Sequence, residues 1–256
     1  MSIQLKRTSM LFTAGAAALA ISGCNVLENP AMLNAGGTAI KAMSLSKDEV
    51  VQLSNQSCKA MDAANRVAAS NSTYGRRLAK IVAPLPKEVG GQRVNYKVYQ
   101  VKAVNAWAMD NGCVRVYAGL MDLMDDDEVR GVIGHELGHV ALGHSAASMR
   151  TAYATSAARQ AAAASGNAAV SALSRSAAGE LGEKFINAQF SQSQETAADN
   201  YSFDLLTRLK LERKGLVTSF QKLAKLSSGS GNSMLSSHPP SKKRAENMQN
   251  RLNKGK

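Results

Sequence analysis

The pattern His-Glu-x-x-His stands at residues 135–139, inside a largely apolar run, in a chain of 256 residues. Side chains four residues apart on an α-helix project from the same face, one turn from each other. His135 and His139 can therefore direct a ring nitrogen at one metal ion. Glu136 lies at the rim of that face, where it is poorly placed as a ligand but well placed to take a proton from water at the metal.

The same five-residue pattern also occurs by chance in helices, so its surroundings matter. An acidic run at residues 125–128 precedes it and predicts a helix start with favourable capping and dipole interactions. Two of the four histidines in the chain fall within this one motif. A buried pair of structural histidines would not require a glutamate beside the first of them. The sequence therefore predicts a metal site with the chemistry of a zinc hydrolase.

A catalytic zinc site requires a third protein ligand, and His144 is one candidate. In the longer zinc-peptidase pattern, a glycine and a third histidine follow the first histidine by seven and ten residues. This chain has Leu142 and Ser145 at those two places. On a continuous helix, His144 would lie about 180° from His135. We therefore interpret His144, which follows Gly143, as a structural residue at the C-terminus of the motif helix.

A better third ligand lies further along the chain, where residues 191–199 begin another helical run. Glu195 and Asp199 are again four residues apart and share a face. Glu195 can supply a carboxylate ligand, and Asp199 can accept the other ring N–H of a ligating histidine and so fix its tautomer. An isolated pair of this kind would be an exposed acidic face, but its combination with the earlier motif favours the metal site.

These two stretches resemble the gluzincin peptidases related to HtpX and to the CAAX prenyl endopeptidases, and among them the small periplasmic lipoprotein peptidases. The resemblance is carried by the ten residues from His135 to His144 and by Glu-Thr-Ala-Ala-Asp at 195–199. It extends over most of the chain, including residues 95–99, 105–109, 111–117 and 237–239. It implies a zinc-dependent endopeptidase, with one zinc ion per chain held by His135, His139 and Glu195.

The resemblance implies two further contributions to the site. The segment at 105–108 is expected to form a strand edge, where the backbone of Asn105 and Ala106 binds an extended substrate. The alternative is that this segment is an ordinary core strand. His238 is expected to lie close to the metal, either as a hydrogen-bond donor to the oxyanion or as a resting ligand in the open zinc position.

The patterns around the motif predict an α+β fold of the zincin type, predominantly helical, with a small antiparallel sheet next to the motif helix. Ser46 and Glu49 have the spacing of a capping box at the start of a long helix. Alternating apolar residues and an Asp-Asn-Gly turn at 110–112 indicate strands. Helices are predicted over 45–67, 74–82, 181–211, 216–226 and 241–252, and strands over 94–101, 104–109 and 113–118.

The segment 149–179 is rich in alanine, serine and glutamine. Its helix propensity predicts a helical pair that packs as a lid over the cleft. The alternative is a poorly ordered excursion near the membrane, which Gly166 and the small side chains favour.

Basic residues followed by a short apolar run predict an export signal over residues 1–23. Ile-Ser-Gly-Cys at 21–24 resembles a lipoprotein signal, which makes Cys24 the acylated residue, carrying chains such as palmitate. A simple cleaved signal peptide and a retained anchor helix are the alternatives. Asn25 implies sorting to the outer membrane in this class. A flexible tether is predicted over 24–43 and a peptidase domain over 44–256.

The chain carries a net charge of +12. A strongly positive net charge can indicate nucleic-acid binding. The sequence contains no recognised nucleic-acid-binding module, and the export signal argues against that partner. Attraction to anionic lipid head groups is one interpretation of the charge, and an ordinary solubilising surface is another.

Two cysteines remain after Cys24, namely Cys58 and Cys113. An exported compartment permits disulfides, and two is an even number. We therefore predict a Cys58–Cys113 disulfide that ties the first helix to the sheet. A buried pair of free thiols is the alternative.

The sequence thus predicts a zinc metalloendopeptidase, a lipoprotein at the periplasmic face of the outer membrane that cleaves extended or misfolded polypeptides. Protein quality control in the envelope, with chaperone or protease partners, is its expected role. A non-catalytic lipoprotein that acts as an assembly factor or chaperone with a structural zinc is the main alternative. An esterase or amidase of small molecules is a further one, although a strand edge suits extended peptides better.

Overall fold

The computed structural model of the chain describes residues 44–156, 173–226, 233–239 and 242–255. The signal peptide, Cys24 and the whole of the predicted tether therefore lie outside the described residues, as does the middle of the segment predicted as a lid. All described residues belong to one unit. Among them, no helix combines the length and the apolar content needed to cross a membrane.

The described residues form ten helices and five strands. The helices are α1 (Lys47–Ala64), α2 (Thr73–Val82), α3 (Ala118–Leu123), α4 (Asp126–Ala141), α5 (His144–Thr155), α6 (Arg175–Ile186), α7 (Gln192–Arg208), α8 (Lys214–Leu226), α9 (Ser233–Ser237) and α10 (Lys242–Asn253). The strands are β1 (Glu88–Val89), β2 (Gln92–Arg93), β3 (Asn95–Tyr99), β4 (Ala106–Ala108) and β5 (Cys113–Tyr117). The predicted α+β class, predominantly helical, is confirmed.

Capping boxes set the starts of the helices that matter most for the site. Asp125 precedes α4, and its side chain accepts the backbone N–H of Glu128 while the Glu128 side chain accepts the N–H of Asp125. Ser191 and Gln194 form the same reciprocal pair at the start of α7. Each box satisfies backbone donors that would otherwise lack a partner in the first turn. The predicted capping box at the start of α1 is present as well.

The prediction of a purely antiparallel sheet is wrong, because the three-stranded sheet has the order β3-β5-β4. β4 and β5 form the expected antiparallel hairpin, whereas β3 pairs with β5 in parallel. The last strand inserts between the first two, so β3 and β4 are both edge strands. Alternation of apolar residues identifies strands but not their neighbours, which is why the sequence pattern missed this pairing.

Close contact between α4 and α7 brings the two chemical motifs together. A Cβ atom on Gly134 would lie 2.5 Å from the hydroxyl oxygen of Ser202, and one on Gly138 would lie 3.0 Å from the carbonyl oxygen of Ala198. A larger residue at Gly138 would therefore press against the backbone of α7, and one at Gly134 would displace the Ser202 hydroxyl. The other side of α4, which includes Leu137 and Val140, packs into the main apolar core on one face of the sheet.

The predicted disulfide between Cys58 and Cys113 is present. It joins α1 to β5, the central strand of the sheet. The disulfide lies in a second apolar cluster on the other face of the sheet, together with Tyr99, Trp107 and Met109. The sheet is therefore covered on both faces, by α4 on one side and by α1 on the other, and α6 packs against α1.

Candidate active site

Helix α4 places three buried functional side chains on one face. His135, Glu136 and His139 are all less than 5% exposed. The Nε2 atoms of His135 and His139 lie 3.0 Å apart, as the spacing of four residues predicts. Burial lowers the pKa of His139 to about 2, so its ring is neutral, which is the form that binds a metal ion.

Helix α7 contributes Glu195, which is fully buried. Its Oε1 atom lies 3.2 Å from Nε2 of His139, and its Oε2 atom lies 3.7 Å from Nε2 of His135. Burial opposes ionisation of this carboxyl, but the surrounding imidazoles hold the pKa of Glu195 below its usual range. Two stretches some sixty residues apart in the chain thus direct a carboxylate and two imidazoles at one point.

His238 joins the same cluster from the end of α9. Its Nδ1 atom lies 3.0 Å from Oε1 of Glu195 and 3.3 Å from Nε2 of His135. The backbone N–H of His238 donates to the carbonyl of Met234, and Ser237 accepts a backbone hydrogen bond from Phe190. These bonds hold His238 in the cluster, close to the metal motif, as the resemblance implied.

The donor set fits a zinc ion. One ligand atom from each of His135, His139, Glu195 and His238 can be chosen so that all four lie within 4.8 Å of one another. Atoms bound tetrahedrally to zinc at the usual bond lengths are about 3.3 Å apart. The four contacts between 3.0 and 3.3 Å among these groups match that separation. Imidazole nitrogens and a carboxylate are the donors found in catalytic zinc sites.

Glu136 has the environment of a proton acceptor rather than of a structural carboxylate. Its Oε1 atom is buried without a hydrogen-bond partner among the described residues. This atom lies 3.5 Å from Nε2 of His238, too far for a strong hydrogen bond. Burial raises the pKa of Glu136. A buried acceptor left without a partner is costly, so its presence beside the cluster indicates a chemical role.

Asp199 supports His135, as the sequence predicted for a carboxylate one turn after Glu195. The Nδ1–H of His135 donates to Oδ1 of Asp199 at 2.8 Å, which leaves Nε2 available as a metal ligand. Burial would raise the pKa of Asp199, but Arg244 and His135 lower it overall.

Arg244 is a member of the site that the sequence did not predict. Its guanidinium donates two hydrogen bonds to Asp199, at 2.7 and 2.8 Å. It also lies 2.5 Å from Oε2 of Glu195 and donates to the carbonyl of Pro239. Arg244 thereby links both carboxylates of α7 to the segment that carries His238. A single arginine in a basic helix gives no periodic signal, so this link could not be predicted from spacing.

The interpretation of His144 as a residue at the C-terminus of the motif helix is wrong. Helix α4 ends at Ala141, and Gly143 adopts a left-handed backbone with φ of 75°. His144 therefore begins α5, and its Nδ1 atom lies 3.2 Å from Nδ1 of His139. The angular argument assumed a continuous helix, and Gly143 was the signal that could have corrected it.

Phe190 is a second unpredicted neighbour. Its ring stacks on His139 with the centroids 3.8 Å apart. Together with His144, this contact fixes the orientation of the His139 ring. Phe190 lies in the short connection between α6 and α7, which the sequence analysis treated as one helix.

The predicted substrate-binding residues lie at the start of the edge strand β4, which packs against α4. Asn105 and Ala106 are both buried. The Ala106 N–H donates to the Asn105 side chain, and the Ser145 hydroxyl donates to the carbonyl of Ala108. The segment is thus an edge strand, as the resemblance implied, and two of its backbone groups are bonded to side chains of the same chain.

Comparison with known proteins gives a consistent result. The family model described as "Peptidase family M48" matches residues 72–252. The chain is 47% identical to "Metalloprotease YcaL" of Escherichia coli (strain K12) over 255 residues, which cover 98% of this chain and 100% of the relative. It is 49% identical to "Metalloprotease LoiP" of the same strain over 242 residues, covering 94% and 96%. A 72-residue stretch, 27% of this chain, is 39% identical to "Protease HtpX" of Shewanella baltica (strain OS185), of which it covers 25%.

Proposed function

The chain belongs to peptidase family M48, and we propose that this metalloprotease is a zinc-dependent endopeptidase that cleaves extended or misfolded polypeptides. One observation carries the proposal. Four buried ligand atoms from His135, His139, Glu195 and His238 converge within 4.8 Å, and Glu136 lies beside them with an acceptor that has no other partner among the described residues.

His135, His139 and Glu195 would hold the ion, with His238 as a fourth ligand at rest. When bound, zinc supplies a Lewis acid that polarises the scissile carbonyl and lowers the pKa of a water molecule to about 7. Asp199 keeps the proton of His135 on Nδ1, so that Nε2 faces the ion. Arg244 holds Asp199 in that position through its two hydrogen bonds.

Glu136 is the base of the proposed reaction. It takes the proton from the attacking water and delivers it to the nitrogen of the leaving amine. Its buried position raises its pKa, which makes it a better proton acceptor and allows it to hold the proton between the two steps. The peptide bond breaks as the amine is protonated.

Strand β4 is the proposed binding edge for the substrate. Tyr117 donates a backbone hydrogen bond to Asn105, and Met109 donates one to Cys113. Bonded residues alternate along an antiparallel pair, so Ala106 and Ala108 direct their backbone groups away from β5, whereas the Asn105 carbonyl faces β5. The Ala106 N–H and the Ala108 carbonyl are bonded to the Asn105 and Ser145 side chains, so the proposed contacts to substrate are the Ala106 carbonyl and the Ala108 N–H. An extended peptide that pairs with this edge lies along α4, with its scissile carbonyl next to the ligand cluster.

The main alternative is a non-catalytic protein with a structural zinc, and one observation favours it. His238 supplies a fourth protein ligand, as in closed structural sites. Membership of a peptidase family and two full-length relatives named metalloproteases argue for an enzyme instead. We therefore assign His238 to the resting state, from which it withdraws to open the position that catalysis requires.

We also propose that the enzyme acts at the periplasmic face of the outer membrane, anchored by lipid on Cys24, in protein quality control with chaperone or protease partners. The N-terminal signal pattern and Asn25 support this location. A fractionation experiment tests it with three forms of the full chain: wild type, Cys24→Ala and Asn25→Asp. Wild type should partition to the outer membrane, Cys24→Ala to the soluble fraction and Asn25→Asp to the inner membrane. Soluble wild-type protein would contradict the proposal.

Cleavage of unfolded casein by the purified mature chain tests the proposed activity. We expect cleavage that a chelator abolishes and that added Zn²⁺ restores. Chelator-resistant cleavage would contradict the role of the metal, and intact casein with a zinc-loaded protein would favour the structural alternative.

A further inference from the structure

A polar pocket adjoins the proposed substrate edge, and the proposed reaction uses none of the side chains in its walls. It has a volume of about 310 Å³ and lies between the C-terminal ends of α1 and α6 and the strands β4 and β5. Its polar lining consists of five side chains: Asn65, Asn105, Tyr117, Glu183 and Asn187.

The pocket lies on the face of the sheet that α1 covers. The register of β4 and β5 places Asn105 opposite Tyr117, so the two side chains project from the same face. Trp107 shares this face and packs in the apolar cluster that includes residues of α1. A peptide paired with β4 directs alternate side chains to the two faces of the sheet. Those on the α1 face therefore lie on the side of the pocket.

The pocket is also close to the ligand cluster along the chain. Asn187 lines it at the end of α6 and stands three residues before Phe190, whose ring stacks on His139. Three residues span at most about 11 Å. A side chain bound in the pocket therefore belongs to a substrate residue near the scissile bond.

The Asn105 amide supplies a hydrogen-bond donor that lacks an acceptor. Asn105 is 1% exposed, and its Oδ1 atom accepts the backbone N–H of Ala106. Its Nδ2 atom is buried without a hydrogen-bond partner among the described residues. An unpaired buried donor costs free energy, which a ligand with an acceptor atom recovers.

Glu183 supplies a carboxylate at the exposed side of the same pocket. Among the residues that the structure describes, it has no ion-pair partner, whereas Glu180, one turn earlier on α6, pairs with Lys184. Burial raises the pKa of the Tyr117 phenol, the N–H groups of Trp107 and Asn105 lower it, and the Glu183 carboxylate raises it further. The hydroxyl of Tyr117 thus lies between the buried donor and the carboxylate. A ligand that satisfies both ends needs an acceptor inside the pocket and a donor outside.

We propose that this pocket binds the carboxamide side chain of a glutamine or asparagine residue of the substrate. The carboxamide oxygen accepts from Nδ2 of Asn105, and the carboxamide N–H donates to the carboxylate of Glu183. Lysine and arginine offer no acceptor, glutamate and aspartate bring a second negative charge to Glu183, and leucine offers neither partner. The inference rests on the proposed function and adds a side-chain preference of the substrate.

Digestion of a proteome-derived peptide library by wild type, read by mass spectrometry, tests the preference and identifies its position. We expect glutamine and asparagine to be enriched at one position near the scissile bond. For peptides that differ only there, kcat/KM with glutamine should exceed that with leucine or glutamate by about 10-fold or more, the range for pairing one buried polar group. Cleavage without a carboxamide preference would overturn the inference and leave the proposed function standing. Absence of any cleavage by the zinc-loaded chain would overturn both.

Two matched glutamate variants locate the preference in the pocket. Glu183 and Glu180 both lie on α6, but only Glu183 lines the pocket. Glu183→Gln removes the charge that rejects an acidic side chain, so the ratio of kcat/KM between glutamine and glutamate peptides should fall several-fold. Glu180→Gln should keep the wild-type ratio. An unchanged ratio in Glu183→Gln, or the same change in both variants, would overturn the assignment to this pocket.

A binding measurement separates recognition from turnover. Glu136→Gln binds but does not turn over substrate in the proposed mechanism, so fluorescence anisotropy can report peptide affinity in that background. Labelled peptides that differ only in glutamine or leucine at the selected position should differ in Kd by roughly 10-fold. This difference should shrink when Tyr117→Phe removes the hydroxyl of the pocket. It should persist when Tyr96→Phe removes a hydroxyl elsewhere in the sheet. Equal affinities for the two peptides would contradict the proposal.

Discussion

Among the residues that the structure describes, two arginines are buried, and each binds an aspartate with two hydrogen bonds. Arg115 binds Asp62 beneath the sheet, on the face covered by α1, and Arg244 binds Asp199 beside the ligand cluster. Both carboxylate oxygens of Asp62 accept hydrogen bonds, whereas beside the second pair Glu136 keeps an acceptor without a partner among the described residues. The comparison separates a charge pair that only holds the fold from one that also prepares a reaction.

The pair beneath the sheet is saturated. Asp62 accepts hydrogen bonds from Arg115, Lys97 and Tyr99. Arg115 also donates to the backbone of the sheet and to the sulfur of Cys58. These contacts tie α1 to β3 and β5 around the disulfide. No acceptor of Asp62 remains for an added ligand.

The Arg244–Asp199 pair beside the ligand cluster also fixes the positions of neighbouring side chains. Arg244 fixes Asp199, which fixes the tautomer of His135. The same guanidinium lies against Glu195. Four ligand atoms remain within reach of one ion. The hydrogen bonds of this arginine–aspartate pair therefore hold the side chains of a site that can bind a metal ion.

The largest expected effect comes from Glu136→Gln, which removes the base and keeps its shape. We expect kcat to fall by about 10³-fold or more, within the range for losing a general acid–base group. Zinc content should stay at one ion per chain, because Glu136 is not a ligand. Glu180→Gln, at a half-buried site on α6, is the control and should keep wild-type activity. Substantial proteolysis by purified Glu136→Gln would remove Glu136 from the mechanism.

Asp62→Ala breaks the saturated pair and should mainly affect stability. It leaves the guanidinium of Arg115, which is 1% exposed, without its carboxylate. We expect the free energy of unfolding in urea to fall by about 3 kcal/mol. Asp204→Ala, which removes the partly exposed partner of Arg251, should cost less than about 1 kcal/mol. Equal losses of unfolding free energy in Asp62→Ala and Asp204→Ala would refute the contrast between a buried and an exposed ion pair.

Asp199→Asn tests the functional pair. The amide oxygen can still accept from His135, but the negative charge that raises the basicity of the ligand is lost. We expect zinc affinity, measured by competition with a chromophoric chelator, to fall by about 10- to 100-fold. Asp204→Asn on the same helix should bind zinc as wild type does. Unchanged affinity in Asp199→Asn would mean that this carboxylate does not support the metal ligand.

The smallest expected effect is a dependence of stability on acid pH. Burial alone would raise the pKa of Asp62, but Arg115, Lys97 and Tyr99 lower it from 3.8 to about 2. A lowered folded-state pKa contributes stability that is present above the ordinary value and is lost as pH falls towards 2. The stability difference between wild type and Asp62→Ala should therefore narrow between about pH 4 and pH 2. A difference that stays constant over this range would contradict the shift.

Much of the framework could be predicted because local rules determine it. The spacing of His135 and His139 fixes their common face, and the capping box at Asp125 marks the start of their helix. Glu195 and Asp199 were predicted from the same spacing, and their side chains lie next to those of His139 and His135.

The remaining features depend on contacts that local spacing does not encode. The parallel pairing of β3 with β5 follows from the order of strands in the sheet, which alternation cannot supply. Arg244 reaches the site from a C-terminal helix with an ordinary basic pattern. His144 was misassigned because one left-handed residue, Gly143, ends α4 and starts a new helix.

Zinc content measured together with activity in Glu195→Ala tests the central claim most directly, since that claim is that a carboxylate of α7 completes a metal site begun on α4. The account predicts one zinc per chain in wild type, strongly reduced zinc in Glu195→Ala and a parallel loss of casein cleavage. Asp204→Ala on the same helix should retain both. Full zinc occupancy with intact activity in Glu195→Ala would contradict the account.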